Sequence, residues 1–178
     1  VVTELVVNHS FHFFVTGKGA FADQISLTNN QFNNITGDIL SLNAEIEDLG
    51  IYNAEYVTLK DNIFNNVQGA VTKLYRGGSD ESTFGPHLLL AGNSLDNVGK
   101  GKRNVSHASL FLHGVQVTQI NQNIIANSAP IVVEHTVGEP QTIISNNTLD
   151  TAPSVKELRV KGPHTAVMEN NKITNDGS

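Results

Sequence analysis

The chain contains no cysteine and no tryptophan, one methionine, and only 6% aromatic residues. The missing cysteines exclude disulfides and thiol catalysis, and they leave the compartment open. With so few aromatics, a core has to be built from Leu, Ile and Val, with Phe at a few positions. No apolar run approaches the ~20 residues of a helical membrane span. The net charge is −6, and lysine plus arginine number only 11. That balance argues against nucleic acid as a partner. One local absence runs the other way: from Asn97 to Val133 there is no Asp or Glu.

What the chain does have is a repeat. Six copies of one eight-residue pattern occur: Ile25–Phe32, Val57–Phe64, Leu88–Leu95, Thr118–Ile125, Thr142–Leu149 and Ala166–Ile173. The sixth residue is always asparagine (Asn30, Asn62, Asn93, Asn123, Asn147, Asn171). The third is Leu27, Leu59, Leu90, Ile120, Ile144 or Met168, and the eighth is Phe32, Phe64, Leu95, Ile125, Leu149 or Ile173. A unit recurring at this spacing signals a solenoid. Within each copy apolar and polar residues alternate, which is the period of a strand. Further strand candidates lie between copies at Ile39–Leu42, Val71–Tyr75, Ser109–His113, Ile131–His135 and Val155–Val160. The expected fold is therefore all-β, a right-handed parallel β-helix of about six coils. The third and eighth residues should point inward as apolar stacks. The asparagines should stand at a corner, tolerate a left-handed backbone there, and hydrogen-bond from coil to coil. They are read as holding the fold rather than touching a ligand.

The 178 residues suit one domain with a sizeable core. The chain opens Val1-Val2-Thr3-Glu4 and shows no amphipathic capping helix at either end. Because open β-helix ends are normally capped, residues 1–178 read as one domain forming the C-terminal part of a longer β-helical polypeptide.

The last two copies follow their predecessors after 24 residues; the first three intervals are 8, 7 and 6 residues longer. Extra residues on a rigid scaffold form loops, and loops are where function tends to sit. The first surplus carries Glu45, Glu47, Asp48 and Glu55, an acidic loop without a recognised calcium spacing. The second runs from Tyr75 and Arg76 to Pro86 and reads either as a self-satisfied loop or as a docking or sugar-acid contact. The third holds Lys100, Lys102 and Arg103, with His107 and His113 after it, and reads either as a solvated basic loop or as an attractor of polyanions. Glu134, His135 and Glu139 could supply metal ligands, but neighbouring strand residues face opposite ways, so Glu134 and His135 are not expected to ligate jointly.

Three strings carry a family likeness. LYRGGSDESTFGPHLLLAGNSLDNVG (Leu74–Gly99), SLFLHGVQ (Ser109–Gln116) and EHTVGEP (Glu134–Pro140) resemble the C-terminal part of polysaccharide lyase family 6, which holds alginate lyases and chondroitinase B. The likeness spans Val57 to Lys161 and is strongest to two-domain alginate lyases, in which a second β-helix follows the catalytic one. It implies a parent enzyme that cleaves alginate by β-elimination. In that chemistry the uronate carboxylate is neutralised, often by calcium, a Lys takes the C5 proton and an Arg protonates the departing O4. The family's Lys and Arg segments and calcium ligands are not found in this chain; Ser109–Gly114 (SLFLHG) is the nearest imitation of the Arg segment. No catalytic residue and no metal ligand is carried over.

The leading expectation is therefore a C-terminal β-helix domain that supports the catalytic part of an alginate lyase or shapes its substrate groove. Tyr75, Arg76, Lys100, Lys102, Arg103 and His113 are the candidates for substrate binding or domain docking. This chain needs no cofactor of its own; calcium would belong to the parent's catalytic domain. The expected partners are alginate or a related polyuronate and the N-terminal catalytic β-helix, with no nucleic acid and no membrane; a homodimer stays open. The expected location is the bacterial periplasm or exterior. Two rival readings remain: a stand-alone module that binds acidic polysaccharides, and a self-sufficient uronate lyase using Lys73, Arg76 or His113. Lys73 and Arg76, three apart at a strand end, are expected on opposite faces.

Overall fold

A computed structural model of the protein describes residues 1–16, 20, 22–44, 54–76 and 86–174. Among them there is no helix, and the strands form three parallel sheets. The first sheet contains Val2–Thr3, Ala22–Thr28, Ala54–Lys60, His87–Ala91, Val117–Asn121, Gln141–Ser145 and Thr165–Glu169, side by side in that order. The second contains Val6–Asn8, Gln31–Ile35, Ile63–Val67, Ser94–Val98, Ile124–Ala126, Thr148–Leu149 and Lys172–Ile173. The third contains Phe14–Val15, Leu40–Ala44, Thr72–Arg76, Leu110–His113, Ile131–His135 and Ser154–Glu157. The chain visits the sheets in rotation and adds one strand to each per turn, so it is a parallel β-helix.

Each eight-residue copy spans the corner between the first and second sheets. Its third and eighth residues stack as expected: Leu27, Leu59, Leu90, Ile120 and Ile144 in one file, and Phe32, Phe64, Leu95, Ile125 and Leu149 in the other, all buried. Phe32 and Phe64 lie face to face with centroids 5.3 Å apart. Met168 departs from its file. It sits on the outermost strand of the first sheet, with a neighbouring coil on one side only, and is 52% exposed. A partial coil also precedes the six copies. It pairs Val2 with Leu27 and puts Leu5 where the ladder would have asparagine, so the repeat does not reveal it.

The ladder itself is continuous from Asn30 to Asn171. Each Oδ1 accepts from the backbone N–H and the Nδ2 of the preceding asparagine, at 2.9–3.1 Å, as in the Asn30–Asn62 and Asn147–Asn171 steps. Each Nδ2 also donates to the carbonyl of the third residue in the copy one coil back, for example Asn62 to Leu27 and Asn93 to Leu59. Buried amides are thus satisfied on both ends. The left-handed backbone, expected at these asparagines, belongs instead to the residue before each one: Asn29, Asp61, Gly92, Gln122, Asn146 and Asn170 have φ between 54° and 67°. That residue makes the turn outside the barrel and leaves the ladder asparagine free to point inward. A second, exposed ladder links Asn34, Asn66 and Asn97 at the far end of the second sheet, again at left-handed positions.

In sequence, the surplus residues fall between strands of different sheets. In the first two intervals they fall between the third sheet and the next strand of the first, at residues 45–53 and 77–86. In the third interval they lie between the Ser94–Val98 and Leu110–His113 strands, where the second sheet passes to the third. Glu45, Glu47, Asp48 and most of the Tyr75–Pro86 stretch lie outside the described residues.

Candidate substrate-binding face

Strand alternation sends Leu74 and Leu112 into the core and Lys73, Tyr75, Phe111 and His113 onto the outer face of the third sheet. The register then builds two rows across neighbouring strands. Asn43, Tyr75, His113, Glu134 and Lys156 form one; Ser41, Lys73, Phe111 and Val132 form the other. Within the first row the Tyr75 and His113 rings stack at 4.3 Å with 13° between their planes. His113 Nδ1 lies 2.9 Å from Glu134 Oε2, and Lys156 Nζ stands 3.9 Å from Glu134 Oε1. His113 is consequently well covered although it belongs to the outer face. The backbone turns away directly after it at Gly114, whose φ is 71°. A Cβ there would lie 2.5 Å from the carbonyl oxygen of Arg76.

Beside these rows is a shallow cleft of about 400 Å³ lined by Asn43, Lys73, Tyr75, Val105, Ser106 and Phe111. Its far wall comes from the basic loop. Buried Asn104 pins that loop by donating to the carbonyls of Gly99 and Ala108, and it accepts from Ser106 Oγ at 2.6 Å. Val105, next to this pin, is left 81% exposed at the rim.

The six sequence candidates divide. Tyr75 and His113 meet on the third sheet. Arg76 falls on the inner side of the same strand and is only 5% exposed, whereas Lys73 is on the outer side. Lys100 and Lys102 line a separate cleft of about 310 Å³ with Asn66, Gln68 and Asn97. Arg103 lies in a third, smaller depression with Phe11, His12 and Asp38. Lys73, Phe111, Glu134 and Lys156 complete the Tyr75–His113 face. Their common signal in the sequence is an odd-numbered place on the Thr72–Arg76 and Leu110–His113 strands and an even-numbered place on the next two.

Glu134 and His135 do part as strand geometry requires. His135 is fully buried, with Nε2 2.8 Å from Thr142 Oγ1. Burial pushes its pKa below the ordinary histidine value; neighbouring His164 adds to the effect and Glu157 opposes it. Among the described residues no three His, Cys, Asp or Glu side chains cluster as a metal site would require.

Solved structures place this arrangement. The chain superposes on the structure of PL6 family alginate lyase AlyGC with a TM-score of 0.83 and 44% identity over 94% of its length. The chain is a relative of polysaccharide lyase family 6. An arginine-to-alanine mutant of AlyGC matches equally well in sequence, at 44% identity over 93% of this chain, with a TM-score of 0.79. In both cases the chain spans 24% of the other protein's length. No protein-family model matches the chain, and no curated protein matches it significantly.

As a family 6 relative, the chain gives its three family-like strings a shared location. LYR ends the Thr72–Arg76 strand, SLFLHG holds the Leu110–His113 strand, and EHTVGEP begins in the Ile131–His135 strand; the three strands are consecutive in the third sheet. Tyr75, His113 and Glu134, one from each string, are direct neighbours in one row. The remainder of EHTVGEP forms a corner: Val137 O accepts from Gln116 Nε2 at 3.1 Å, Gly138 has a left-handed φ of 92°, and Pro140 O accepts from the Thr165 amide.

Proposed function

We propose that this chain is the supporting, non-catalytic β-helix of a larger alginate lyase, and that its third sheet forms part of the surface along which the polymer lies. The observation that carries this reading is the close match to an alginate lyase about four times as long, over nearly all of this chain. A rigid stack of parallel strands presents side chains in fixed rows, which suits an extended repeating polymer. The β-elimination itself would proceed on the rest of such an enzyme. There a base would remove the C5 proton, an acid would deliver a proton to O4, and calcium, where used, would neutralise the carboxylate. No step is assigned to residues of this chain. A substrate of polymer size places such an enzyme outside the bacterial cytoplasm.

The test is a lyase assay on the chain alone, following the ultraviolet absorbance of the unsaturated product. No turnover is expected from the chain, with turnover restored when it is part of a full-length family 6 enzyme. Sustained turnover by the chain alone would overturn the supporting role and favour a lyase built on Lys73 and His113.

A further inference from the structure

The outer face of the third sheet holds a charge imbalance that the fold does not need. Glu134 is the one carboxylate on this face among the described residues, and His113 and Lys156 already engage it. Lys73, half-buried in the cleft, has no acidic partner among the described residues. An ammonium group in a cleft without a counter-charge attracts an anion, so the cleft is biased towards one. The surrounding groups narrow its kind. Phe111, in the lysine's own row, and Tyr75, in the neighbouring one, offer aromatic surface, Val105 adds an exposed apolar rim, and Asn43 and Ser106 complete the lining. One compact cation fits a monoanion. Aromatic faces flanked by hydrogen-bonding groups fit a ring that is apolar on its face and polar at its edge.

We propose that the cleft between Lys73, Tyr75, Phe111 and Val105 is a binding subsite for one uronate unit of an acidic polysaccharide. Lys73 takes the carboxylate in a charge-assisted hydrogen bond. Tyr75 and Phe111 bear the apolar side of the pyranose, and the Ser106 hydroxyl reaches one of its hydroxyls. Tyr75 is held for this task by its stack on His113, which Glu134 orients. The basic residues Lys100 and Lys102, in their own cleft, are not part of the subsite. The assignment rests on the reading that the parent acts on a polyuronate, and it goes further by naming where this chain touches the polymer.

The experiment titrates the chain with a short oligouronate and with the same oligosaccharide after reduction of its carboxylates to alcohols, using calorimetry and amide chemical-shift mapping. The oligouronate is expected to bind, and the reduced sugar to bind about tenfold more weakly or worse. Lys73→Met and Tyr75→Ala should each weaken oligouronate binding by a similar factor. Lys60→Met, on the first sheet, should leave it unchanged. Shifts should centre on the Thr72–Arg76 and Leu110–His113 strands, a readout on the unaltered chain that holds even if a variant misfolds. Shifts confined to Lys100 and Lys102, equal affinity for the reduced sugar, or no binding would each overturn the subsite. No binding together with no turnover overturns the subsite and leaves the supporting role standing. Turnover by the chain overturns the supporting role whatever the binding result.

Discussion

Tyr75 and His113 are 38 positions apart in sequence and face to face in the fold, their rings 4.3 Å apart. The contact fixes both side chains: His113 is held between the Tyr75 ring and the Glu134 carboxylate. The row is therefore a preorganised surface rather than a set of independent side chains.

Removing the acid should loosen that row. Glu134→Ala deprives a well-covered His113 of its Nδ1 partner and Lys156 of its counter-charge. Because the pair is mostly shielded, a stability loss of about 1–2 kcal/mol is expected. Urea denaturation monitored by circular dichroism provides the measurement. An unchanged midpoint would mean that the contact contributes nothing.

The asparagine ladder should be least replaceable at its centre. Asn93→Ala strands the backbone N–H of Asn62 and takes the Nδ2 donor from the carbonyl of Leu59, both in the buried corner, while Asn62 Nδ2 and Asn123 Oδ1 each lose one of their bonds. At ~1–3 kcal/mol for each buried group left unsatisfied, the loss should reach about 3 kcal/mol or more. Asn171→Ala, at the outer coil, should cost about 1 kcal/mol. Equal losses in the two variants would contradict a cooperative ladder.

Gly114→Ala combines two penalties, a left-handed φ of 71° and a Cβ 2.5 Å from Arg76 O. Backbone shift between neighbouring coils is the only relief, since the obstacle is main chain. A loss of more than about 1 kcal/mol is expected. The same variant should displace His113 from Tyr75, visible as changed ring chemical shifts. Wild-type stability with unmoved rings would refute this.

His135 predicts a pH dependence of defined sign. Its folded pKa lies below the ordinary 6.5, chiefly through burial. Above 6.5 the residue is neutral whether the chain is folded or not. As pH falls through 6.5, the unfolded chain takes up a proton that the folded chain resists, so stability declines down to the depressed folded value. Its Nδ1 has no hydrogen-bond partner, which gives the added proton nowhere to donate. Denaturation midpoints from neutral pH down to about pH 5 should therefore fall. The fall should be shallower in His135→Asn. Identical slopes in the two proteins would remove His135 as the cause.

Much of the architecture is legible in the sequence. Strand alternation and the recurring asparagine mark the corner between two sheets, because inward apolar files and a hydrogen-bonded ladder each demand one residue type at one place. Less visible were the partial first coil, where Leu5 replaces the asparagine, and the left-handed residues, which vary among Asn, Asp, Gly and Gln. A turn outside the barrel requires only a backbone conformation, and several side chains tolerate it.

The candidate face was legible only in part. Tyr75 and His113 could be singled out within the family-like strings, and Lys73 and Arg76 could be assigned to opposite faces by alternation alone. That Glu134 joins Tyr75 and His113 in one row is decided by the register of three parallel strands. Register depends on how many residues each coil spends in its corners, and corner lengths carry no label for the partner they align. The separation of Lys100 and Lys102 from that row has the same origin: their loop lies where the second sheet passes to the third, and only the closed path of the coil in space shows which cleft they line. The repeat by itself determined that the chain winds as a β-helix around apolar files. The tertiary structure decided which distant side chains stand together on its outside.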